Sequence, residues 1–311
     1  MDFRFGFQLS PEHETDPIAA AQRAEEIGFD LVLVSDHVGD GMAPISVLAA
    51  VAQATEAIRL GTLVLNNDMR NPVQLAWEAA TLDRLSGGRF ELGLGAGHTP
   101  QEYAATDIDF QPPRVRKQRL AESVEVIRRL LSGEVVDYSG DHYSIEGARI
   151  GPPAQDRLPI LVGGNGRELL AHAGGHADII GLQGLGRTRS DGHRHTVKWD
   201  PDRLTIQIQQ IRAGAGERFT DLELNALVQV VEITDDRDRA LAAICERVDG
   251  LDPDHAKQIP YLLVGTVEQI VDHIVTCGER WGITYYAVRE LEGFAPIISA
   301  IRDRVRSAPG R

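Results

Sequence analysis

The segment DLVLVSDHVGD ends an apolar run in Asp36 and His37. A carboxylate and an imidazole are costly to bury without partners. Side by side at the tip of a hydrophobic strand, they are either solvated loop residues or the place where chemistry happens. A histidine titrating near neutrality suits a coupled proton transfer, and an aspartate beside it suits orientation through a hydrogen bond. Polar residues follow other apolar runs too: Gln8, Asn66-Asn67, Gly97-His98, Gly163-Gly164-Asn165-Gly166 and Gln183. In VGGNGRELLAHAGG a glycine-rich turn opens a helix. Glycines let backbone amides approach a ligand, and a helix N-terminus favours an anion. A phosphate cradle and a tight turn that needs glycine only for its dihedrals both fit this pattern. No Lys-Ser/Thr follows, so it is not a Walker sequence.

The elements that must position these residues are eight apolar runs: FRFGFQL, DLVLVSD, RLGTLVLN, FELGLGAG, PILVGG, ADIIGLQ, ELNALVQVVEI and TYYAVRE. Near-continuous apolar runs predict parallel strands covered by helices. Helices between them carry start signals: Asp16-Pro17, with Gly28 as the stop, Asn71-Pro72, Asp200-Pro201, and a capping box of Thr266 with Gln269. In RVRKQRLAESVEVIRRLL, Leu120, Val124, Ile127 and Leu131 share one face. The alternation predicts an α/β fold, a (β/α)8 TIM barrel, in which the C-terminal strand ends converge on one face. A doubly wound sheet competes, but no early GxGxxG follows the first strand. The expected organisation is a single domain over 1–311. It is interrupted by a hairpin at about 135–150, turning at Ser139-Gly140, and by a long polar, lid-like loop at about 184–200.

Other chemistry is poorly supported. His172 and His176 are four apart, but Gly174-Gly175 lies where a helix would end and no acidic third ligand is evident, so no metal site is expected. Arg187, Arg189, Arg194 and Lys198, with His193 and His195, could receive an anionic group or form a solvated loop. There is no GxSxG elbow, and Cys245 and Cys277 sit in no activating context. The 311 residues are 42% hydrophobic and 25% charged, with net charge −14, which argues against nucleic-acid partners. No apolar run is long enough to span a bilayer and no signal peptide is evident, so a soluble, cytoplasmic protein is expected. All but three of the 32 basic residues are arginines, which suggests a GC-rich genome. A cofactor that does the chemistry fits this inventory best.

The segments LVLVSDHVGD, RLGTLVLNNDMRNPVQLAWEAATLDRLSGGRFELGLGAG and LPILVGGNGRELLAHAGGHADIIGL together resemble the bacterial luciferase-like monooxygenase superfamily, as does YLLVGTVEQIVDHIVTCGERWGITYYAV. The resemblance covers nearly the whole chain and is nearest the actinobacterial branch that uses coenzyme F420. It implies a (β/α)8 barrel with insertions, usually a homodimer, binding a flavin or deazaflavin at the C-terminal face. It also implies that Asp36 and His37 are the pair beside the ring, with His37 as acid/base. The resemblance puts a non-prolyl cis peptide at Leu63-Val64, with Asn66 just after it. Gly97 and His98 match positions lining ring and substrate, and His98 is a candidate proton donor. Val162, Gly163, Gly164, Asn165 and Gly166 match the cofactor's phosphate site. Two departures matter. The family's sugar-phosphate dehydrogenases carry a glutamate at the His98 position and a tryptophan shortly after the Asp-His pair, where this chain reads Val38-Gly39-Asp40-Gly41. Both argue against sugar-phosphate oxidation.

The expected function is an F420-dependent oxidoreductase that transfers a hydride between the deazaflavin C5 and a small organic substrate. The alternatives are an FMN-dependent monooxygenase and a non-catalytic cofactor-binding protein.

Overall fold

The computed structural model describes residues 1–10, 15–39, 41–188 and 195–307. The first half runs β1 (Arg4–Leu9), α1 (Pro17–Ile27), β2 (Leu31–Val34), α2 (Pro44–Ala54), β3 (Arg59–Thr62), β4 (Leu65–Asn66), α3 (Pro72–Leu85), β5 (Phe90–Gly95), α4 (Pro100–Ala105), α5 (Pro113–Leu131), β6 (Val136–Ser139), β7 (Ser144–Ala148) and β8 (Ile160–Gly163). The second runs α6 (Arg167–His176), β9 (Ile179–Leu182), β10 (Leu185–Thr188), β11 (His195–Val197), α7 (Pro201–Ala215), β12 (Glu223–Leu227), β13 (Val230–Ile233), α8 (Arg237–Arg247), α9 (Pro253–Ala256), β14 (Leu262–Gly265), α10 (Val267–Trp281), β15 (Ile283–Val288) and α11 (Ala295–Ser307).

The start signals work as capping chemistry predicts. The Asp16 carboxylate accepts from the Ala19 amide, and α1 stops at Gly28 in the left-handed conformation, φ 97°. Asn71 and Asp200 accept from the first-turn amides of α3 and α7. Thr266 and Gln269 form the reciprocal capping box of α10.

All eight apolar runs supply barrel strands. The order β3-β2-β1-β15-β12-β9-β8-β5 is closed by a parallel β3–β5 pairing, and every neighbouring pair is parallel. This is the predicted (β/α)8 barrel. Two runs are broken into two strands each. RLGTLVLN breaks at a cis peptide between Leu63 and Val64 and resumes as β4. ELNALVQVVEI splits into β12 and β13. β13 leaves the barrel to pair with β14, a strand in LLVG that periodicity did not single out.

Strand alternation divides the core in two. Phe5, Phe7, Val32, Leu60, Leu92, Val162, Ile180, Ala226 and Tyr286 face outward into the helix layer. Leu31, Leu33, Leu63, Leu161, Ile179, Leu227, Tyr285 and Ala287 fill the barrel interior. The interior floor is ionic. Arg4 donates to Glu91 at 2.6 Å and Glu223 at 2.7 Å, Arg59 donates to Glu91 at 2.7 Å, and Arg4 lies 4.9 Å from the Tyr285 ring centre.

The interruption after α5 is an antiparallel hairpin of β6 and β7, with the turn at Gly140–Tyr143 closed by the Gly140 amide on the Tyr143 carbonyl. The polar loop begins and ends as the β10–β11 hairpin. Asp40, Arg189, His193 and Arg194 lie outside the described residues. The helix end expected at Gly174-Gly175 is observed: α6 stops at His176, the next residue. The glycines also serve packing: a Cβ on Gly174 would sit 2.5 Å from the Ile211 carbonyl, and one on Gly214 only 1.9 Å from that of Ala171, so their absence lets α6 and α7 cross closely. Among the described residues no helix is long and apolar enough to cross a membrane, and no cluster of three or more metal-ligating groups occurs.

Candidate active site

The C-terminal strand ends surround one cavity of about 870 Å³. Asp36, His37, Leu63, Val64, Asn66, Gly97, His98, Gly163, Gly164 and Asn165 line it, together with Gln8 and Gln183. Val162 is 2% exposed and points outward to the helix layer, so it contributes only backbone to this face. Gly166 sits just behind the lining, at the start of α6.

The cis peptide turns Val64 into the cavity. Its side chain is tolerated because three strand positions lack a Cβ: one on Gly95 would lie 2.6 Å from Val64 Cγ2, and those on Gly93 and Gly163 3.3 and 3.2 Å from Cγ1. The next strand end is equally tight. Gly97 adopts φ 69°, and a Cβ there would meet the Tyr103 hydroxyl at 2.2 Å and Asn66 Oδ1 at 2.5 Å. Tyr103 is fully buried, which raises its phenol to about 12.

Asp36 and His37 have separate partners. The Asp36 carboxylate accepts from the Asn66 amide at 2.8 Å and takes both ends of the Arg70 guanidinium, with Nη2 at 3.0 Å from Oδ1. It therefore anchors the turn after β4 and is not the group that orients His37. That group is Glu102, on α4, whose Oε1 lies 2.7 Å from His37 Nδ1. The Glu102 side chain is 10% exposed and that of His37 42%, so a buried carboxylate holds an imidazole that faces the cavity. The His98 ring stands edge-on to His37, centroids 5.8 Å apart. Sequence reasoning missed Glu102. Its signal was weak but present: a glutamate four residues beyond His98, in the helix that opens directly after the fourth barrel strand tip.

At the glycine turn, α6 starts at Gly166 without a side-chain cap, leaving its first amides available to an anion. Asn165 holds the turn in place, donating to the Leu185 carbonyl and accepting from Gln207, both at 2.9 Å. Lys117 reaches in from α5 and donates to the Asn165 carbonyl at 2.6 Å. Burial, with repulsion from Arg116, lowers the Lys117 ammonium below its ordinary value. Among the described residues, two buried polar atoms of the lining have no partner: Gln8 Oε1 and Asn66 Nδ2.

His172 and His176 stack at 4.2 Å on α6. His172 Nε2 pairs with the Ala121 carbonyl and His176 Nδ1 with the His172 carbonyl, so each ring spends one nitrogen on backbone.

The family model for "Luciferase-like monooxygenase" matches residues 8–285. The F420-dependent glucose-6-phosphate dehydrogenase of Amycolatopsis mediterranei is 34% identical over 185 residues, 56% of each chain. The chain thus spans about half the length of the first curated relatives it matches. The enzyme of that name from Nakamurella multipartita is 33% identical over 251 residues, 76% of this chain and 70% of its own. Among solved structures, an F420-dependent secondary alcohol dehydrogenase in complex with an F420-acetone adduct superposes with a TM-score of 0.77. It is 23% identical and covers 97% of this chain and 100% of its own.

Proposed function

We propose that this chain, which belongs to the luciferase-like monooxygenase family, is a coenzyme F420-dependent oxidoreductase acting on a small organic substrate. The observation that carries this reading is a single cavity joining the glycine turn at α6 to the His37–Glu102 pair. The names of the curated relatives support the choice of cofactor.

The lining fits such a group. Val64 and the Cβ-free strand positions around it leave room against a flat ring, and the orphaned Gln8 Oε1 and Asn66 Nδ2 are a hydrogen-bond acceptor and donor awaiting partners. Leu63, Val64, Asn66, Gly97 and His98 would flank the ring. Gly163, Gly164, Asn165, Gly166 and the Val162 backbone would hold the phosphate, with Lys117 as an added cation. When bound, the deazaflavin supplies a hydride donor or acceptor at its C5.

The chain's own contribution is the proton. His37, held at Nδ1 by Glu102, is the group that takes or returns the substrate's proton. Glu102 fixes the tautomer and balances the imidazolium. General acid–base catalysis of this kind is worth about 10²–10⁴ in rate.

Fluorescence titration with F420 and FMN side by side tests the cofactor. Saturable binding of F420 with little of FMN is expected, and FMN binding alone would move the chain to the monooxygenase reading. Loss of oxidised-cofactor absorbance across alcohols and hydroxy acids would supply a substrate. On it, His37→Ala should cut turnover by about 10²-fold or more while F420 affinity changes little. Unchanged turnover would remove His37 from the mechanism.

A further inference from the structure

Arg289 is the first residue beyond β15, and strand alternation decides where it points. Tyr285 and Ala287 face the barrel interior, while Tyr286 and Val288 face the helices, so Arg289 continues the inward row into the cavity mouth. Register puts it level with Gln8 on β1, since Phe7 pairs with Val288, and near Gln229, since the Val228 amide donates to the Ala287 carbonyl.

Other half-buried arginines have acceptors. Arg4 is taken by Glu91 and Glu223, Arg70 by Asp36, Arg128 by Asp178 and Arg302 by Asp30, while Arg89 and Arg218 donate to backbone carbonyls. Among the described residues no acceptor pairs with the Arg289 guanidinium. Among the described residues Glu290 is the charged group that acts on it, and the Glu290 carboxylate accepts from the Arg289 backbone amide at 3.2 Å. Burial lowers the guanidinium below its ordinary value, with Glu290 opposing the shift.

Nor is this cation part of the phosphate end. Lys117 and the glycine turn lie at β8, three strands from β15 in the barrel order β8-β9-β12-β15. The cavity thus has two cationic poles, and a cofactor phosphate would satisfy only the first. Arg289 lies two strands from β2, whose tip carries His37, which is about 10 Å along the rim. The lining between them includes Leu9, Val34 and Val47.

We propose that Arg289 is the specificity residue of this site and that the substrate carries a carboxylate, held by Arg289 with its reacting carbon near His37. The inference rests on the oxidoreductase reading above. A carboxylate is favoured over a phosphate ester because a single guanidinium offers one planar, bidentate fork, which matches one carboxylate. A dianion would call for a second cation. Arg116, the other arginine of the lining, is spent on the Ala96, Gly97 and Gln111 carbonyls.

The test is thermal-shift titration of the wild-type protein, R289Q and R289K, each with and without excess F420. The probes are hydroxy and oxo acids of three to six carbons, their methyl esters, and glucose 6-phosphate. At least one acid should stabilise the wild type where its ester does not. Its apparent affinity should fall at least tenfold in R289Q and be partly retained in R289K. The proposal is overturned if no acid is distinguished from its ester, if R289Q keeps the distinction, or if glucose 6-phosphate alone binds. It is also overturned if R289Q loses F420 affinity and nothing else, which would give the arginine to the cofactor. Failure of the wild type to bind F420 would undo the functional reading, while the acid–ester comparison without cofactor would still decide Arg289.

Discussion

Replacing Asp36 by alanine separates the two partners of the Asp-His pair. The Asp36 side chain is 5% exposed and serves two donors. One is the amide of Asn66, itself 5% exposed; leaving a buried amide unpaired costs about 1–3 kcal/mol. The other is the bidentate guanidinium of Arg70, whose side chain is 22% exposed and could partly turn to water. Its charged bonds are worth about 1.5–3 kcal/mol. Together the loss is about 3–5 kcal/mol, in the range for breaking one side of a buried pair. At a urea slope of about 3 kcal/mol/M, the midpoint should fall by about 1 M or more. Asp36→Asn keeps one acceptor and the shape, so it should lose less than half as much. Urea unfolding of the two variants beside the parent measures this directly. A midpoint for Asp36→Ala within 0.3 M (about 1 kcal/mol) of the parent would refute the claim that Asp36 is the anchor of the turn after β4.

Glu102→Gln should behave in the opposite way: the side chain keeps its shape and an acceptor for His37, so thermal stability should move little, while turnover falls about tenfold or more as the imidazolium loses its counter-charge. Equal kcat in variant and parent would remove Glu102 from the proton path. A third expectation concerns the barrel floor. Burial, with Arg4 opposing it and Glu91 reinforcing it, raises the Glu223 carboxyl to about 7 from an ordinary 4.5. The folded chain then holds a proton that the unfolded chain has released, so this group's contribution is full below about pH 4.5, declines as pH rises to about 7, and stays lost above it. Glu223→Gln should flatten the fall in stability between pH 5 and 8 by about 1–3 kcal/mol, read from urea midpoints across that range. An unchanged slope would assign the pH dependence elsewhere.

The barrel was legible because its signals are local. Apolar runs of four to six residues, Asp-Pro and Asn-Pro starts and the Thr266–Gln269 box each act within a few residues of chain. What periodicity alone missed was long-range. LLVG is apolar enough to be a strand, but its pairing with Val230–Ile233 rather than with the barrel depends on where β12 breaks. Gly174-Gly175 marked the end of α6 to within a residue, because a glycine pair weakens a helix; the close crossing with α7 that Gly174 permits was not legible.

The site was legible to the same depth. That polar strand tips would converge followed from the fold, and Asp36 was identified as important because of its position. Its partner was not identifiable, because adjacency in sequence does not give contact in space. Successive side chains of a strand leave on opposite faces, and Asp36 and His37, just past the end of β2 at Val34, each find a partner on another element. Asp36 reaches the turn after β4, and His37 reaches α4, 65 residues on. The same rule, applied forward rather than to the tip alone, finds Arg289. TYYAVRE ends in charged residues, and counting by twos from Tyr285 turns the arginine inward. An ionisable residue one step past a buried parallel strand and in phase with its interior row stands over the barrel mouth, and its partner must come from another tip or from a ligand. For Asp36 and His37 the chain supplies that partner. For Arg289 the described residues do not, and the carboxylate assigned to the substrate follows from that difference.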